Sequence, residues 1–97
     1  MDEISLLMGR GQRLRKVVFQ GHLMGERCST EDNLLQQLYV VPGGRLIVYE
    51  EYQYDGDNVY NLVEVTPEDL EPFGAYEWLG KECGFGRTIT LDEALKR

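Results

Sequence analysis

"VVPGGRLIVYEEYQYDGDNVYNLVEV", residues 40–65, decides the fold. In Pro42-Gly43-Gly44, proline presets φ near −65° at the second turn position and glycine accepts the positive φ of the third. That pattern predicts a tight type II or bulged turn. Asp55-Gly56 readily takes the paired positive φ values of a type I′ hairpin. Between the turns, residues 45–54 alternate: Leu46, Val48, Tyr52 and Tyr54 fall on one face, with Ile47, Tyr49, Glu51 and Gln53 on the other. Residues 34–41 and 59–65 supply the flanking strands, and tyrosine and valine suit such a pleated surface. Three consecutive antiparallel strands are expected.

Upstream, residues 13–27 show a period of two, with Val17, Phe19 and Leu23 on one face and Lys16, Gln20, His22 and Glu26 on the other. Gly21 and Gly25 invite a bulge or close packing against another element. Residues 1–12, ending in Gly9-Arg10-Gly11, read as an N-terminal arm or short helical turn ahead of a single domain over 13–97. Downstream, Thr66-Pro67-Glu68-Asp69 has the form of a helix start, with an N-cap threonine, proline at the first position and acids at the positive dipole end. Pro72 limits that piece to about a turn and a half. A second helix is expected over residues 73–83, presenting Phe73, Tyr76, Leu79 and Cys83, with Trp78 at its flank and Gly84 and Gly86 ending it. Residues 87–90 suit a short edge strand, and Thr90-Leu91-Asp92-Glu93 is a capping box opening a last helix through Arg97. The class is α+β: an antiparallel meander sheet of four to five strands, with short C-terminal helices packed on one face.

Ninety-seven residues suit one small domain with a thin core, and 42% apolar with 28% charged residues is ordinary for a soluble chain. No apolar run approaches the roughly 18 residues of a membrane span, and Met1 to Met8 is too short and acidic for a secretory signal, so a cytoplasmic location is expected. Cys28 and Cys83 lack metal-like spacing and are expected as buried or half-buried free thiols. The net charge of −7 is uneven: residues 50–82 carry ten carboxylates and one lysine, Lys81. Direct nucleic-acid binding is therefore disfavoured. The basic cluster Arg10, Arg13, Arg15 and Lys16 reads as a solvated strand entrance or flexible arm.

No catalytic, cofactor or metal constellation emerges. His22 is the sole histidine, and in an extended strand Cys28 would lie on the order of 20 Å away. Asp55-Gly56-Asp57-Asn58 fails the register of a calcium loop. Neither Gly-x-Gly, at residues 9–11 and 84–86, sits between a strand and a helix as a dinucleotide site requires. Glu50, Glu51, Glu64 and the Asp55/Asp57 pair would stay ionised on an exposed sheet.

What this leaves is an interaction surface. Tyrosines give rigid amphipathic contact area and acids select a basic partner, so Tyr49, Glu50, Glu51, Tyr52, Tyr54, Asp55, Asp57 and Tyr60 are the candidate protein-binding residues. The expected function is a non-enzymatic interaction or accessory module. The alternatives are an inhibitor imitating nucleic acid with regularly spaced carboxylates and a small enzyme using His22. Because both faces of residues 34–49 carry large apolar groups and the helices cover only one, a homodimer hiding the second face is also expected.

Phe19-Gln-Gly21-His-Leu23-Met-Gly25-Glu26 and Leu38-Tyr39 with Gly43-Gly44-Arg45-Leu-Ile-Val48-Tyr49 resemble small bacterial proteins of the EXLDI type, over residues 17–70. Of the motif that names that group, this chain offers only Thr90-Leu91-Asp92-Glu93. The resemblance implies a bacterial or phage-borne accessory protein and no catalytic residues.

Overall fold

The computed structural model describes residues 1–85 and 90–96. Both turns within residues 40–65 form as their chemistry dictates. The Gly44 amide donates to the Val41 carbonyl at 3.1 Å, with Gly43 at φ 90°. Asp55 and Gly56 take φ values of 52° and 81°, the paired positive angles of a type I′ turn. They join β3 (Leu34–Val41), β4 (Arg45–Tyr54) and β5 (Asp57–Val65) into an antiparallel sheet in which Leu38 faces Val48 and Val48 faces Val63.

The expected arm is instead a strand. β1 (Asp2–Arg10) pairs from Asp2 opposite Gly21 to Met8 opposite Arg15 along the first half of β2 (Arg15–Ser29), through a short 3-10 turn at Gly11–Arg13. Its alternation was masked because Leu6, Leu7 and Met8 are consecutive and apolar. The second half of β2 pairs with β3, and β1 closes on β5 through Gly9 opposite Tyr60 and Arg10 opposite Val59. The sheet is therefore a closed barrel, β1-β2-β3-β4-β5, and not an open meander.

Five antiparallel pairings cannot close a ring of straight strands, because an odd ring would leave one neighbour parallel. One strand must double back, and β2 does. Its register shifts between Leu23 and Gly25, leaving Met24 as the extra residue of a bulge. The bulge also inverts the alternation. Leu23 lies opposite Tyr39 and Glu26 opposite Gln37, so both face inward, although two-residue counting puts Glu26 on the other face. Gly25 permits close approach as well, since a Cβ there would stand 2.7 Å from the Cys83 sulfur.

Doubling back covers both faces of β3–β5. On the outer face, Leu38, Leu46, Val48 and Val65 form the core with Leu70 and Leu79. These two come from α1 (Pro67–Leu70) and α2 (Glu77–Glu82). On the inner face, Tyr39, Val41 and Tyr49 are buried, and Phe19 of β2 meets the Tyr39 ring edge-on at 5.6 Å and 89°. Part of the apolar face that argued for a homodimer is thus covered by β1 and the first half of β2.

Thr66 caps α1, its amide donating to Asp69 Oδ2 at 2.9 Å. α1 ends at Leu70, two residues before Pro72. α2 is shorter than the expected helix over 73–83. Gly74 packs so closely on α1 that a Cβ would overlap the Glu68 and Asp69 carbonyl oxygens, which leaves Phe73 at φ 71° and 99% exposed. Gly84, at φ 88°, closes α2 in a Schellman motif: Phe85 N–H bonds the Gly80 carbonyl at 2.7 Å and Gly84 N–H that of Lys81 at 3.2 Å. α3 (Leu91–Leu95) is capped by Thr90 Oγ1, which accepts from the Glu93 amide at 3.2 Å. The expected edge strand over residues 87–90 lies, apart from Thr90, outside the described residues. No described helix is long and apolar enough to cross a membrane.

Candidate functional site: the barrel mouth

Alternation along β4 separates the eight candidate residues. Glu51 lies opposite Leu35 and Tyr60, and Leu35 opposite Cys28, so these four form one inward-facing row across four strands. The row sits where the chain turns between β2 and β3, and it floors a cleft of about 400 Å³. Leu34, Asn33 and Ser29 line one side, with Tyr52, Gln53 and Asn58 on the other. Of the expected surface, the cleft gathers Glu51, Tyr52 and Tyr60.

The other five lie elsewhere. Tyr49 is 4% exposed and points into the barrel. Burial, then the Glu51 charge, pushes its phenol well above the ordinary tyrosine range. Burial also raises the Tyr39 phenol, with Glu26 adding to it. Glu50 faces outward and joins four elements. It accepts from Gln36 Nε2 at 2.9 Å, from Tyr76 Oη at 3.3 Å and from Asn61 Nδ2 at 3.4 Å, while Arg27 donates to Gln36 Oε1 at 3.3 Å. Gln36 is a buried polar side chain, so this network is structural first. Tyr54, Asp55 and Asp57 are exposed at the β4–β5 turn. Arg10 holds two of them, donating to Asp57 at 2.9 Å and lying 5.1 Å from the Tyr54 ring centre.

Carboxylates between residues 50 and 82 thus divide among the cleft, the outer network, the turn and the helices. They do not make the single regular row that imitation of a phosphate backbone needs. His22 is exposed on β2 and lines neither the mouth cleft nor the second cleft, of about 410 Å³, between Phe19 and Ile47. Cys28 and Cys83 are both free: Cys28, at the open end of the inward row, is exposed and not buried as expected, and Cys83 is half-buried against Gly25 on the opposite face.

Sequence reasoning missed Leu34, Leu35, Asn33 and Ser29 as cleft residues. Their signal was present in the polar run 28–33, which had to turn and so bring β2 and β3 together at the same end as Asp55-Gly56. No family model, curated protein or solved structure matches this chain.

The buried phenols make stability fall in alkali. A tyrosine whose folded pKa is raised contributes fully below the unfolded value of about 10, and the contribution is lost as pH rises through the folded value. The urea midpoint is expected to hold to about pH 10 and then decline, with Tyr49→Phe flattening the decline. An unchanged slope in that variant would mean that Tyr49 ionises as freely folded as unfolded.

Proposed function

We propose that the chain is a non-enzymatic protein-interaction module that takes a basic segment of its partner into the cleft at the barrel mouth. The observation that carries this reading is the convergence of Glu51, Tyr52 and Tyr60 with Leu34 and Leu35 in one cleft. A lysine or arginine stem lies against the leucines and tyrosine rings while its charge meets Glu51, an ion pair that strengthens as water leaves. Gln53, Asn58 and Asn33 offer amides to the partner's backbone. The acidic balance of residues 50–82 draws such a partner in and sets it apart from neutral ones.

The test is affinity capture with Glu51→Lys against two controls, the unaltered protein and Glu68→Lys on α1. Both variants change net charge equally, and circular dichroism confirms that each is folded. Proteins held by the unaltered chain are expected to be lost with Glu51→Lys and kept with Glu68→Lys. Equal loss in both would show that bulk charge and not the cleft is responsible, and equal retention would remove the cleft from the interaction.

A further inference from the structure

Two surfaces take no part in the mouth, and they are opposite in charge. The first is the outer side of the β1–β2 ribbon and its turn. Leu7 lies opposite Lys16 and Ser5 opposite Val18, so Leu7, Lys16 and Val18 share a face, with Arg13 and Leu14 at the turn beyond one end and Glu3 at the other, while Arg15 lies opposite Met8 on the other face. Leu7, Leu14 and Val18 are 40%, 43% and 50% exposed. Among the described residues, the salt bridges that form are Arg10–Asp57 and Arg45–Glu64, so Arg13, Arg15 and Lys16 keep their charges unpaired there.

The second surface is the helical cap. Phe73 is 99% exposed at a positive φ, a conformation that bulky residues rarely adopt and that persists only where the surroundings impose it. Its amide is pinned by Glu77 Oε2 at 3.2 Å. Trp78 is 58% exposed with Lys81 Nζ 4.3 Å from its ring centre. Glu71 and Glu82, close to them along the chain, are exposed. Large exposed aromatics inside a polar rim are a usual energetic centre of a protein interface.

We infer that these surfaces bind one another between copies of this chain, the Phe73–Trp78 knuckle of one seating on the Leu7–Leu14–Val18 strip of the next. Charge complementarity selects this occupant. The acidic rim repels a second knuckle, the cations repel a second strip, and every copy carries both surfaces, so one copy's knuckle meets another's strip. The contact joins unlike surfaces, so it closes as a two-fold dimer if both copies exchange it and extends head to tail if they do not.

The test uses the full chain in sedimentation at high micromolar concentration. In low salt the unaltered protein is expected to exceed the monomer's mass, with added salt reducing the association. Phe73→Ala, which removes an exposed side chain, and the pair Arg13→Glu/Lys16→Glu should each weaken association roughly tenfold or more. Mixed one to one, the two variants should form a heterodimer, since one retains the strip and the other the knuckle. Monomer throughout for the unaltered protein overturns the inference. So does a mixture that stays monomeric, or full association of Phe73→Ala alone. Neither variant touches the cleft, so the mouth reading stands or falls separately.

Discussion

Gly80→Ala is expected to destabilise this protein by ~3 kcal/mol or more, although alanine is the better helix former by about 1 kcal/mol. Gly80 lies buried in α2 where that helix crosses α1, and a Cβ there would overlap the Leu70 carbonyl oxygen and crowd the carbon behind it. A flexible side chain could swing aside, but this obstacle is backbone. It belongs to a residue that is itself 1% exposed in the core. The only relief is for α2 to lift, which draws Leu79 and Leu70 away from Val48 and Val65. Gly84→Ala is the informative comparison. Nothing surrounds that position, so only its φ of 88° opposes the substitution, at a cost of about 1 kcal/mol. Urea unfolding of the two variants separates them, and equal midpoints would show that α1 and α2 are less tightly apposed than described.

Leu38→Ala should cost ~2–5 kcal/mol, against a total of about 5–15 kcal/mol for a domain of this kind. Leu38 is fully buried at the centre of β3, opposite Gly25 on one side and Val48 on the other, beneath the helical cap. Gly25 has no side chain to move into the vacated space, and Val48 and Leu79 are already fixed by their own neighbours, so the site collapses poorly. Calorimetry is expected to show a large fall in melting temperature, with Leu38→Met losing far less. A small loss for alanine would place the main core on the inner face, around Tyr39 and Tyr49.

Both residues show what the chain makes plain and what it conceals. The bounds of β3 and β4, the two turns, and the caps at Thr66, Thr90 and Gly84 are legible because each rests on neighbours within a few positions. The split of residues 46–54 between two faces is legible for the same reason. Closure is not. Nothing near Gly9 or Arg10 announces that they pair with Tyr60 and Val59, and an apolar second face on β3 looks the same whether a partner or the chain's own first strand covers it. The mouth was half visible. Glu51, Tyr52 and Tyr60 stood out by type, but Tyr49 differs from them only in lying two residues further inside. Glu50 looked like a free acid because its partners, Gln36, Asn61 and Tyr76, come from three other segments. Phe73 shows the opposite failure: its spacing suits a helix face, and the tight approach of Gly74 to α1 overrides it.

The doubled-back β2 also sets an order in time. From β2 to β5 every pairing joins consecutive strands through a short connection, and such hairpins form quickly because little chain entropy is lost in closing them. The β1–β5 seam is different, since Gly9 must find Tyr60 across 51 positions (60 − 9). As the chain leaves the ribosome, β1 is made first but meets its second neighbour last. Until β5 has emerged, the β1–β2 ribbon has only part of the inner face to lie on. Removing residues 1–10 would therefore leave the hairpins from β2 to β5 intact while taking away the seam that completes the barrel.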